Sequence, residues 1–65
     1  MKRRDVEKAL KGIDAEVLRE GGEHTIWICN CGKHKIALPR HSEITAGVVL
    51  SIGKQIACAP KGWLQ

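Results

Sequence analysis

The sequence predicts an α+β fold in the order α-β-β-β-α, with a three-stranded antiparallel sheet and two helices on one face. Three observations predict it. Apolar residues recur at helical spacing near both ends of the chain, three short runs suited to strands lie between them, and the turn residues separating those runs leave room for hairpins but not for crossovers.

Val6, Ala9, Leu10 and Ile13 fall at i, i+3, i+4 and i+7, which predicts an amphipathic helix from residue 2 to about residue 11, stopping near Gly12. Its first turn holds Lys2, Arg3 and Arg4 against the positive end of the helix dipole, where cations are mildly unfavourable. Such a cluster is either a phosphate-binding feature or a solvated basic terminus.

Residues 16–20 read as a strand, Gly21 and Gly22 turn the chain, and residues 24–29 form a second strand rich in β-branched and aromatic side chains. Asn30 to Lys33 supply turn chemistry, and residues 35–38 make a third strand that Pro39 ends. Alternation puts His24, Ile26 and Ile28 on one face of the second strand and Thr25, Trp27 and Cys29 on the other. The isoleucines are expected to face the helices. Trp27 then stands on the open face as a partner contact or base-stacking platform, the competing reading being an ordinary half-buried strand tryptophan.

Thr45 is placed to cap a second helix running to about residue 57, with Val48, Val49, Ile52 and Ile56 as its apolar stripe. Pro60 prevents smooth continuation, and residues 59–64 are expected to make a short turn that tucks Trp63 against the core.

A chain of 65 residues has material for one small domain, spanning residues 1–65, so any active site is shallow. Eleven Lys and Arg against seven Asp and Glu give a net charge of +4, which favours a polyanionic partner over an acidic metabolite. The distribution is more pointed. The segment 24–42 carries Lys33, Lys35, Arg40 and all three histidines (His24, His34 and His41) and no acid. No apolar run approaches the roughly 18 residues of a membrane span, and the basic N-terminus lacks the apolar stretch of a signal peptide, so a cytoplasmic location is expected. Three cysteines fit free thiols in a reducing compartment, and Cys29 and Cys31 are too close in sequence to pair without strain.

Two constellations carry chemistry. In CNCGKH, the residues Cys29, Cys31 and His34 invite a zinc reading, but the spacing is C-x-C-x2-H and a closed site needs a fourth ligand, Cys58 or His41, from elsewhere in the fold. The alternative is a set of turn and strand residues in a reduced thiol state. A nucleophilic Cys–His pair lacks any oxyanion-hole signature, and no phosphate-loop, dinucleotide-binding or metalloprotease motif is present. The second constellation is GGEH followed by LPRH. There His24 is either a tolerated polar residue at a strand end or an imidazole held out by a rigid sheet.

MKRRDVEKALKG, REGGEHTIW and LPRHSEI together resemble the HicA family of bacterial toxins over nearly the whole chain. The resemblance implies a fold like the double-stranded-RNA-binding domain, mRNA interferase (endoribonuclease) activity, no cofactor, and a HicB-like antitoxin partner. It makes His24, of the Gly-x-His element that includes Gly22, the catalytic residue. Substrate contacts are then expected from Gly22, Lys2, Arg3, Arg4, Lys35, Arg40 and His41, with His41 a candidate second proton carrier. Glu23 stands where family members often carry Ser or Lys and should slightly repel phosphate; the CNCGKH turn also departs from the commoner family turn and is given no role. RNA supplies its own nucleophile, the 2′-hydroxyl, so the enzyme needs to orient the ribose, move a proton and offset charge on the phosphorus. A non-catalytic RNA-binding module on the same basic surface is the alternative.

Overall fold

The structure is a computed structural model that describes residues 1–60 and 62–64. Helix α1 spans Arg3–Gly12, strand β1 Glu16–Glu20, β2 His24–Ile28, β3 Lys35–Pro39 and helix α2 Ala46–Gln55. The sheet is antiparallel in the order β1-β2-β3, the meander that the spacing of turn residues predicts.

Val6 and Leu10 of α1 are fully buried, as their helical spacing requires. The helix ends where Asp14 takes a left-handed conformation (φ 61°), which lets the Ala15 N–H donate to the Leu10 carbonyl at 2.9 Å. Thr45 caps α2, its hydroxyl accepting from the Val48 N–H at 3.4 Å. That helix stops at Gln55, two residues short of the expected end. Ile56 leaves helical geometry (φ −100°, ψ 73°) and is only 1% exposed. Trp63 packs partly buried against the core as expected, while Lys61, within the expected final turn, lies outside the described residues.

The assignment of faces on β2 needs correction. Trp27 and Thr25 are each 2% exposed and Cys29 3%, whereas Ile26 and Ile28 are only half-buried and His24 is exposed. Both alternating sets of β2 are largely apolar, so alternation alone does not choose between them. The neighbouring strand does: Trp27 sits opposite Ile36 and Thr25 opposite Leu38, while Ile26 faces Ala37 and Ile28 faces Lys35. Ile36 and Leu38 are buried with Val6, Leu10, Ile44, Ile52 and Ile56 beneath the helices. Trp27 is therefore a core residue, not a stacking platform, and His24 belongs to the face that the helices leave open.

In β1 the register jumps from Val17 opposite Trp27 to Arg19 opposite Ile26, which leaves Leu18 as a bulge. The bulge re-aims the strand, so that Arg19 shares the open face with Ile26, one diagonal step from His24. No helix is long and apolar enough to cross a membrane among the described residues.

Candidate active site and cation clefts

His24 opens β2 at the mouth of the sheet. Its carbonyl accepts from the Gly21 N–H at 2.9 Å, and it stands opposite Pro39 of β3. The Arg40 N–H donates to the Glu23 carbonyl at 3.1 Å, so the β1–β2 turn and the segment after β3 are stitched together next to the His24–Pro39 pair. Gly22, Glu23, Arg40 and His41 line a shallow cleft of about 250 Å³ there. Gly22 is exposed, and a Cβ there would meet nothing within 4 Å.

A larger cleft of about 490 Å³ adjoins the first through Arg40. It is lined by Lys2, Arg3, Arg4, Glu7, Arg40, Ser42 and Glu43. The chain termini of its elements are joined by backbone bonds: the Arg3 N–H donates to the Ser42 carbonyl at 2.9 Å and the Ile44 N–H to the Met1 carbonyl at 2.7 Å. The Met1 ammonium donates to the Glu43 carboxylate at 2.8 Å and to the Ile44 carbonyl at 3.1 Å. That hydrogen bond and the positive charge of the ammonium hold the Glu43 carboxyl below its usual range.

The cations expected to contact substrate are not equivalent. Lys2 and Arg4 are exposed, but the Arg3 guanidinium turns inward to the Thr25 hydroxyl at 3.2 Å and lies 3.7 Å from Glu7. Arg40 is held 3.4 Å from Glu20. Lys35 is not brought to the site: it pairs with Ile28 while His24 pairs with Pro39, so the two lie at opposite ends of the strand pair, roughly 13 Å apart. Glu43 and Arg19 border the site without having been expected there. Proximity of Glu43 to His41 in sequence was the only signal for the first, and the bulge hid the second.

At the far end of β2 the cysteines gather. Cys29 follows the strand, Cys31 and His34 lie in the β2–β3 turn, and Cys58 arrives from beyond α2. All three are free thiols. Cys31 Sγ lies 3.1 Å from His34 Nδ1, and accepts from the Lys33 N–H at 3.4 Å. The Lys33 N–H, then His34, lower the Cys31 thiol to about 6. Its hydrogen bond with Cys29, then desolvation, push Cys58 up to about 12.

Architecture and site together define a small α-β-β-β-α domain, of the double-stranded-RNA-binding-domain-like shape, that presents a histidine and a string of cations at one end of its sheet. The family model described as HicA toxin of bacterial toxin-antitoxin matches residues 3–57, and the chain belongs to that family. No curated protein and no solved structure matches the chain.

Proposed function

We propose that the chain is an endoribonuclease of the mRNA interferase type, acting in the cytoplasm as one domain over residues 1–65, with His24 as its catalytic residue and a HicB-like antitoxin as its inhibitor. The observation that supports this reading is the exposure of His24 on the helix-free face, at the strand start directly after Gly22 and Glu23, which line a cleft with Arg40 and His41.

In this reading RNA lies along the two adjoining clefts. Lys2, Arg4 and Arg40 hold phosphates, and Gly22 admits the backbone close to the imidazole. Cleavage forms a bond between the ribose 2′-oxygen and phosphorus and breaks the bond from phosphorus to the 5′-oxygen. The 2′-hydroxyl proton must leave and the departing 5′-oxygen must gain one, so the products are a 2′,3′-cyclic phosphate and a 5′-hydroxyl. An imidazole, with an ordinary pKa of about 6.5, can serve in either transfer at neutral pH. His24 carries one transfer, and His41, which lines the cleft beside the Gly22–Glu23 turn, is the candidate for the other. The cations offset charge gathering on the phosphoryl oxygens. An antitoxin that covers the open face removes substrate access and matches the positive charge in one interface.

The test is induction of wild type and His24→Ala in bacteria, with primer extension on a cellular mRNA and RNA-binding assays on the purified chains. Growth arrest and new RNA ends from wild type alone, with RNA binding retained by His24→Ala, are expected. Folded wild type that binds RNA and leaves it intact would overturn the reading in favour of a non-catalytic RNA-binding module.

A further inference from the structure

Cys29, Cys31, His34 and Cys58 each offer one ligand atom, and the four atoms lie within 4.8 Å of one another. Cys29 Sγ and Cys58 Sγ are 2.7 Å apart, Cys58 Sγ and Cys31 Sγ 3.4 Å, and Cys31 Sγ and His34 Nδ1 3.1 Å. Tetrahedral zinc with bonds of about 2.3 Å to sulfur and about 2.0 Å to nitrogen has ligand–ligand edges of roughly 3.5 to 3.8 Å. The three spacings named are somewhat shorter than those edges and every pair lies within 4.8 Å, so the four ligand atoms crowd around the space that one such ion would occupy.

We propose that these four residues form a structural Cys3His zinc site that fastens the segment after α2 to the β2–β3 hairpin. The sequence offers three of the ligands at an unusual spacing, and the fold supplies the fourth. The turn is built for the purpose: the Cys29 N–H donates to the His34 carbonyl at 2.8 Å, the Gly32 N–H to the Cys29 carbonyl at 2.9 Å, and Gly32 takes φ 77°. Those bonds hold Cys29, Cys31 and His34 on one side of the turn before any metal arrives. The Lys33 N–H, 3.4 Å from Cys31 Sγ, is an outer partner that a coordinated thiolate keeps.

Zn²⁺ is favoured over harder cations because three ligands are thiolates and the fourth is an imidazole. On binding, the three thiols release their protons to solvent, His34 gives the Nδ1 lone pair while its proton stays on Nε2, and no electron is transferred. With four protein ligands no position is left open for water or substrate, so the ion is a staple and not a catalyst. Its distance from the proposed catalytic residue agrees, since Cys29 lies five residues along from His24, roughly 16 Å away. A staple also suits a chain of this length, whose core is small and whose stability a metal can raise.

The test is anaerobic titration of the reduced, metal-free whole chain with Co²⁺, followed by Zn²⁺, alongside metal analysis of chain purified without chelator. Expected are saturation at one cobalt per chain with tetrahedral absorption and thiolate charge-transfer bands, displacement by Zn²⁺, and a higher unfolding temperature with Zn²⁺ than with chelator. Cys58→Ser should weaken Zn²⁺ binding by at least about tenfold, the scale that outer-shell partners alone can carry. An octahedral cobalt spectrum, or thiols that react freely in the presence of equimolar Zn²⁺, would overturn the site. So would a Cys29–Cys58 disulfide in metal-free chain handled anaerobically. Because the wild-type spectrum is the primary readout, a Cys58→Ser chain that fails to fold leaves the test intact, and RNA cleavage does not enter it.

Discussion

The Arg3 guanidinium donates to the Thr25 hydroxyl at 3.2 Å, which ties the first turn of α1 to the strand residue next to His24. Thr25 is a buried polar residue, and the Arg3 Nε is buried without a partner, so the contact lies inside the structure rather than on its surface. The bond fixes where the basic end of α1 sits relative to the proposed catalytic turn. Part of the N-terminal cation cluster thus builds the cleft instead of filling it.

Arg3→Ala is expected to lower unfolding free energy by about 1.5–3 kcal/mol, the range for a charge-assisted bond whose loss leaves a buried hydroxyl unpaired. Arg4→Ala, exposed, should stay within about 0.5 kcal/mol of wild type while reducing RNA affinity and its salt dependence. Urea denaturation and binding at two salt concentrations separate the roles, and equal effects from the two substitutions would show that no such division exists.

Trp27→Ala is expected to cost about 3–5 kcal/mol, because a fully enclosed aromatic leaves a cavity beneath both helices. Ile26→Ala, on the open face, should cost only about 1 kcal/mol, in keeping with half-burial. A reversed order in chemical denaturation would restore the assignment of faces that strand alternation first suggests.

The Glu43 carboxyl titrates below its usual 4.5 in the folded chain. A carboxyl lowered by folding stabilises the fold above its unfolded pKa and loses that contribution as pH falls through the folded value. Wild type should therefore exceed Glu43→Gln in stability at neutral pH, and the gap should close below about pH 4.5. Thermal melts of both chains across that window check the sign; a gap that widens in acid would contradict it.

Two glycines should respond in opposite directions. Gly32→Ala forces a side chain into φ 77° and is expected to destabilise by about 1–2 kcal/mol, although its Cβ would meet nothing within 4 Å. Gly53 lies inside α2 with equally open space around a new Cβ, so Gly53→Ala should stabilise by about 0.5–1 kcal/mol. Paired melts measure both.

Much of this architecture is legible in the sequence because turn residues separate its elements cleanly. Gly21 and Gly22, Asn30 to Lys33 and Pro39 bound the strands closely, and Thr45 marks the start of α2. The wrong face of β2 has a physical cause: Ile26 and Ile28 are as apolar as Trp27 and Cys29, and only Lys35 and Ala37 across the ladder reveal which side meets water. Arg19 was hidden because a bulge at Leu18 breaks the simple alternation. Cys58 could be named as a possible fourth ligand but not placed, since its approach to the hairpin depends on how Ile56 folds back into the core. For the site itself, GGEH and LPRH indicated the cleft, whereas Lys35 was grouped with it by sequence proximity and the pairing register sets it apart.

All five residues of β1 are exposed, while β3 buries Ile36 and Leu38. Local opening is easiest where backbone bonds are not covered by apolar packing. The Gly21–Glu23 turn that leads into His24 therefore joins one compliant strand to one stiff strand pair. On the β3 side, the ladder from Pro39 to Lys35 anchors the imidazole's backbone to the core. On the β1 side, the chain can yield without disturbing that core. In the proposed function, adjustment to the shape of an RNA strand falls to β1 and leaves the backbone of His24 in place.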